Sequence, residues 1–123
     1  MDCVRQVDVI DTDTIKVLFE GPESSPFSGS VLSLFFSLPS DYPYNQPILT
    51  FENSVFHPNI SQSGAVCSSS ETWTMFMTME RELNRVCNML VNPIVSDPLN
   101  LMACNMYTTD KELYTATAKG LLI

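Results

Sequence analysis

The first half of the chain alternates apolar and polar residues, a pattern typical of half-buried β-strands. In "TIKVLFEG", for example, Ile15, Val17 and Phe19 fall on one face. The connections between such segments are short and rich in proline and serine, which predicts an antiparallel meander. The four predicted strands span residues 4–10, 14–21, 30–38 and 48–52.

The second half changes to a helical period. Residues 78–93 carry apolar side chains at helical spacing, with Thr78 as a candidate N-cap and Pro93 after the end. The apolar positions are Met79, Leu83, Val86, Cys87 and Leu90.

Two further helices are predicted towards the C-terminus. One begins near Leu99 or Asn100, and the other occupies residues 109–119, where Thr109 and Glu112 match a capping box. Strands followed by helices indicate the α+β class. We therefore expect a four-stranded antiparallel sheet followed by helices, in one domain spanning residues 1–123.

Composition and charge exclude some classes of function. Hydrophobic residues make up 45% of the 123 positions, which is enough for a core. The net charge is −8, and no two of the six basic residues are adjacent. Binding of nucleic acid or of an anionic membrane requires clustered basic residues, so neither is expected.

The cysteines and the single histidine, His57, do not form a metal-binding pattern. The cysteines lie at positions 3, 67, 87 and 104 without a CxxC pair, and structural zinc sites use clustered ligands. The chain has no apolar run long enough to span a membrane and no signal-peptide pattern at its start. We therefore expect free thiols, no bound metal, and a reducing compartment, the cytoplasm or the nucleus.

Cys67 is the candidate for chemistry, because it ends the polar turn "HPNISQSGAVC" and precedes three serines. A reactive thiol requires solvent access. Cys87 and Cys104 fall on apolar helix faces and are expected in the core. A cysteine hydrolase with His57 as base and Asp97 as orienting acid is one alternative. Against it, Pro58 stiffens the turn after His57, and no other hydrolase signature is present.

The same turn resembles the active-site signature of ubiquitin-conjugating enzymes, in which His-Pro-Asn precedes the catalytic cysteine. Asn59 and Cys67 are 67 − 59 = 8 residues apart, as in that family. Other segments resemble the family in the same order along nearly the whole chain. They are "FEGPESSPFSG", "LPSDYPYNQPILTF", Trp73, "NPIVSDPLN" and "YTTDKELY".

The resemblance implies a transferase that needs no cofactor of its own, since ATP is consumed by the upstream activating enzyme. Cys67 would accept ubiquitin as a thioester and pass it to a substrate lysine, usually with a ubiquitin ligase. Asn59 would stabilise the oxyanion, directly or by holding the loop in place. Asp97 would orient and deprotonate the lysine, or alternatively start a helix ahead of Pro98.

The resemblance also assigns supporting residues. His57 and Pro58 would brace the active-site loop, and Trp73 would cover the active-site segment. The side chains expected to face a ligase are Tyr44, Met75 and Phe76.

The sequence departs from the family at both ends and around the active-site cysteine. The chain begins at the first strand, where the family has an amphipathic helix, and ends soon after the last helix, so a core shortened at both ends is expected. Ser68 replaces a common leucine, and Trp73 follows Cys67 after 73 − 67 = 6 positions, two fewer than usual. The sequence "TMF" follows Trp73 where many members have Ser-Pro-Ala. A non-catalytic scaffold that binds ubiquitin or a partner, and an enzyme for a ubiquitin-like modifier, therefore remain alternatives.

Overall fold

A four-stranded sheet forms the first half of the protein. The computed structural model describes residues 3–67, 73 and 79–122. Neighbouring strands are antiparallel in the order β1-β2-β3-β4, so the predicted meander is confirmed. The strands are β1 Val4–Val9, β2 Thr14–Glu20, β3 Val31–Ser37 and β4 Ile48–Phe51.

The strand register aligns the apolar faces that the alternation predicts. Val17 lies opposite Leu34, and Leu34 lies opposite Phe51 on the next strand. All three side chains are buried. The apolar stripe of each strand therefore continues across the sheet and forms one wall of the core.

Three helices follow, as predicted: α1 Met79–Val91, α2 Leu101–Thr109 and α3 Lys111–Leu121. Leu83, Val86 and Leu90 of α1 are buried among core residues from the sheet. The predicted N-cap of α1, Thr78, lies outside the described residues. No helix in the described part of the chain is long and apolar enough to cross a membrane.

The predicted capping box at α3 is wrong by one position. The N-cap is Asp110, whose carboxylate accepts a hydrogen bond from the Leu113 N–H at 3.1 Å. Thr109 is instead the last residue of α2, and its hydroxyl donates to the Asn105 carbonyl at 2.7 Å. Because only one residue separates the helices, Asp110 serves as C-cap of α2 and N-cap of α3.

An open apolar groove of about 410 Å³ lies between the sheet and the start of α1. Val7, on its wall, is 58% exposed. Its lining residues are Val4, Val7, Ile15, Val17, Phe36, Met79, Glu80 and Leu83.

Candidate active site

Residues 52–67, which follow β4, fold back along that strand and carry the candidate site. The Phe51 N–H donates to the Gly64 carbonyl at 2.8 Å, and the Val66 N–H donates to the Leu49 carbonyl at 3.0 Å. Gly64 has φ +94°, and an added Cβ would lie 2.4 Å from the Phe51 oxygen, so only glycine fits there. This close approach fixes the position of the chain just before Cys67.

The loop brings the two principal candidate residues together. The Cys67 N–H donates to the Asn59 carbonyl oxygen at 3.0 Å. The eight-residue spacing in the sequence therefore corresponds to a closed turn, with Asn59 and Cys67 adjacent across its base.

His57 ties this loop to α1. The side chain is fully buried, its Nε2 lies 2.8 Å from the Met89 carbonyl oxygen, and its Nδ1 lies 3.0 Å from the Asn59 amide nitrogen. Because a carbonyl only accepts and an amide N–H only donates, the proton is on Nε2 and the ring is neutral. Neither nitrogen is free to accept a proton from Cys67, which removes the base that a hydrolase would need.

Burial gives His57 a testable effect on stability. It lowers the pKa of His57 to about 4, although the Met89 hydrogen bond opposes the shift. In the unfolded chain the histidine pKa is about 6.5. Between these two pKa values the unfolded state binds more protons than the folded state, so the free energy of unfolding falls as the pH drops through that window. We expect the free energy of unfolding to fall by about 2 kcal/mol more from pH 7 to pH 5 in the parent than in His57→Gln. Urea unfolding of both proteins at both pH values measures this difference, and equal pH dependence would contradict it.

The Asn59 side chain is held at both of its polar atoms. It is 1% exposed, its Oδ1 accepts from the Ile94 N–H at 2.8 Å, and its Nδ2 donates to the Ile94 carbonyl at 2.7 Å. This paired arrangement joins the loop to the segment after α1. These two hydrogen bonds have the geometry expected of the loop-holding role implied for Asn59.

The thiol of Cys67 is half-buried and faces α1. Its Sγ lies 3.3 Å from Met89 Sδ and 3.8 Å from Nη1 of Arg85. Arg85 Nη2 also donates to the Cys67 carbonyl oxygen at 3.2 Å. The guanidinium therefore contacts both the side chain and the backbone of the candidate nucleophile.

A buried carboxylate holds that guanidinium in place. The Glu82 side chain is 1% exposed, and its Oε1 accepts from Arg85 Nη2 at 2.7 Å and from Nε at 3.1 Å. Burial alone would lower the pKa of Arg85, but the hydrogen bond and charge of Glu82, together with those of Cys67, raise it. The arginine is therefore charged.

Sequence reasoning missed this Glu82–Arg85 pair. Charges three positions apart on a helix usually form a solvent-exposed pair. The available signal was helical spacing, because Glu82 lies between Met79 and Val86 on the stripe that faces the core.

Asp97 is exposed on the segment between α1 and α2. That segment is tied to the loop, because the N–H groups of Leu99 and Asn100 donate to the Pro58 carbonyl at 2.8 and 3.1 Å. Pro58 is itself fully buried. The His-Pro-Asn turn thus fixes the chain on both sides of Asp97, at residue 94 through Asn59 and at residues 99 and 100 through Pro58.

Two of the residues expected to cover the site or face a ligase, Trp73 and Tyr44, lie at the proline-rich loop 39–47. Trp73 is half-buried, and its Nε1 donates to the Pro43 carbonyl at 3.0 Å. Its ring also packs against the Tyr42 ring, with 6.1 Å between the centroids. The Trp73 side chain therefore lies on that loop, where the Tyr42–Pro43 peptide bond is cis. Tyr44 on the same loop is 69% exposed. Met75 and Phe76 lie outside the described residues.

No group of three or more histidine, cysteine, aspartate or glutamate side chains that could hold a metal ion occurs in residues 3–67, 73 and 79–122. The polar contacts of the candidate site are instead formed by the thiol, the Asn59 amide and the Glu82–Arg85 pair.

Comparison with known proteins gives one family. The model of the ubiquitin-conjugating enzyme family matches residues 2–122. A solved E2 domain of a ubiquitin-conjugating enzyme from Toxoplasma gondii is 32% identical, with a TM-score of 0.83, over 93% of this chain and 81% of the other. A Plasmodium yoelii structure described as a candidate ubiquitin-conjugating enzyme is 30% identical, with a TM-score of 0.85, over 94% of this chain and 79% of the other.

Proposed function

This chain belongs to the ubiquitin-conjugating enzyme family, and we propose that it accepts ubiquitin on Cys67 as a thioester and transfers it to a substrate lysine. The observation that carries the proposal is the turn that places the Cys67 N–H on the Asn59 carbonyl at 3.0 Å. This turn leaves the thiol half-buried at the end of the loop.

The loading step is an exchange of thioesters. The Cys67 Sγ, as thiolate, attacks the carbonyl carbon that joins the C-terminal glycine of ubiquitin to a cysteine of the activating enzyme. A new carbon–sulfur bond forms, the old one breaks, and the activating enzyme's sulfur leaves as a thiolate. The activating enzyme consumes ATP beforehand, so this chain needs no cofactor for the exchange.

The transfer step forms an amide. A substrate lysine, in its neutral amine form, attacks the thioester carbonyl, and Cys67 leaves as thiolate. The attacking nitrogen then gives up a proton. Asp97 is the proposed group to orient the amine and receive this proton, because it is exposed on a segment anchored to Pro58 and Asn59.

A ligase would bring the substrate, with Tyr44 on an exposed loop as a proposed contact. Because the step requires a reduced thiol, we propose that it takes place in a reducing compartment, the cytoplasm or the nucleus.

A charging assay tests the proposal. The protein is mixed with ubiquitin, activating enzyme, magnesium and ATP, and run on gels with and without reductant. We expect a shifted band that reductant removes, and that added free lysine discharges with time. Folded protein that forms no such band would overturn the proposal that it conjugates ubiquitin. Two alternatives would then remain, a non-catalytic scaffold and an enzyme for a ubiquitin-like modifier. The same assay with that modifier in place of ubiquitin separates them.

A further inference from the structure

The Glu82–Arg85 pair is placed against the reacting atom rather than on the helix surface. Arg85 Nη1 lies 3.8 Å from the Cys67 sulfur, while Nη2 donates to the Cys67 carbonyl at 3.2 Å. Two contacts to one residue, from two nitrogens of a planar group, fix the guanidinium relative to the sulfur.

Burial makes this charge effective. The Arg85 side chain is 23% exposed and the Glu82 side chain 1%. Charges act more strongly at such positions than at the surface, because less water screens them. Glu82 binds Nε and Nη2, so the nitrogen that points at the sulfur is the one the carboxylate leaves available.

We propose that Arg85 is the electrostatic partner of the Cys67 sulfur, and that Glu82 is the positioning residue that holds Arg85 in that place. The proposal rests on the proposed role of Cys67 as acceptor. When the thiol gives its proton to solvent buffer, the resulting thiolate pairs with the guanidinium. The pairing favours the attacking form during loading, and it stabilises the same thiolate when it departs during transfer to the amine.

The surroundings give the effect a definite sign. In the described part of the chain, the charged contact of Cys67 is with Arg85, and Glu82 lies behind Arg85. His57 reaches the neighbouring Met89 from the loop and is neutral at pH 7. The guanidinium contacts the sulfur, and the carboxylate contacts the guanidinium at Nε and Nη2, so the charge that this pair presents to the sulfur is positive.

Alkylation of Cys67 by iodoacetamide tests this without ubiquitin. The rate is followed from pH 5 to pH 10 on the full chain and assigned to Cys67 by peptide mass spectrometry. We expect Arg85→Met to move the pH–rate profile about one unit higher and to slow the reaction at pH 7 up to about tenfold. Arg85→Lys, which keeps the charge, should shift the profile by less than half as much.

Arg5→Met is the matched control, because Arg5 forms an exposed pair with Glu20 and its loss removes the same charge. It should leave the profile of Cys67 unchanged. An Arg85→Met profile equal to the parent's, or an equal shift in Arg85→Lys and Arg85→Met, would overturn the proposal. A shifted profile in a protein that fails to charge would retain the role of Arg85 and reject the conjugating function, so the two failures are distinguishable.

Discussion

Cys67→Ala should abolish charging with ubiquitin, a loss of at least about a hundredfold, because it removes the one thiol of residues 57–67. Cys67→Ser should instead form an oxygen ester slowly, and this ester should resist the reductant that removes the parent's thioester. Gels with and without reductant distinguish the three proteins.

The other cysteines provide the controls for this prediction. Burial, together with the neighbouring Cys3 thiol, raises the pKa of Cys87 to about 12, so this thiol is protonated and unreactive at neutral pH. Cys104 is buried beside the Val95 carbonyl. Single alanine variants at positions 3, 87 and 104 should each keep the reductant-sensitive band. A band that survives in Cys67→Ala would assign the acceptor to a different residue.

Asn59→Ala should destabilise the protein by about 2 kcal/mol, since it leaves the N–H and the carbonyl of Ile94 without their partners at a half-buried site. Urea unfolding measures the change. If Asn59 acts by holding the loop, loading and lysine discharge should slow by similar factors, because both depend on the position of Cys67.

The control for this substitution is Asn92→Ala, on an exposed residue just after α1. It should change the free energy of unfolding by less than about 0.5 kcal/mol. A result in which Asn59→Ala slows only discharge and leaves stability unchanged would contradict the loop-holding role. It would favour direct contact with the oxyanion.

The strands and helices were predictable because their signals are local. Alternation placed Val17 and Phe19 on the buried face of β2, and the observed strand bounds lie within one residue of the predicted ones. The start of α3 was missed because Thr109 and Asp110 are both good N-caps. Only the structure shows that α2 extends through Thr109.

The candidate site was predictable in part. The motif gave the order of His57, Asn59 and Cys67, but not what each side chain contacts. His57 bonds to a carbonyl 32 positions away and Asn59 to a backbone 35 positions away, and no local pattern encodes such pairings. The contact of Arg85 with Cys67 was missed for the same reason. From the sequence alone, an arginine on a helix is expected to point into solvent.

Whether Cys67 carries ubiquitin is measured by the intact mass of the loaded protein, followed by peptide mapping. We expect one adduct whose mass is that of both proteins less one water, attached to Cys67 and released by reductant or hydroxylamine. An adduct on a lysine or on another cysteine, or no adduct on folded protein under conditions where a second conjugating enzyme is loaded, would contradict it.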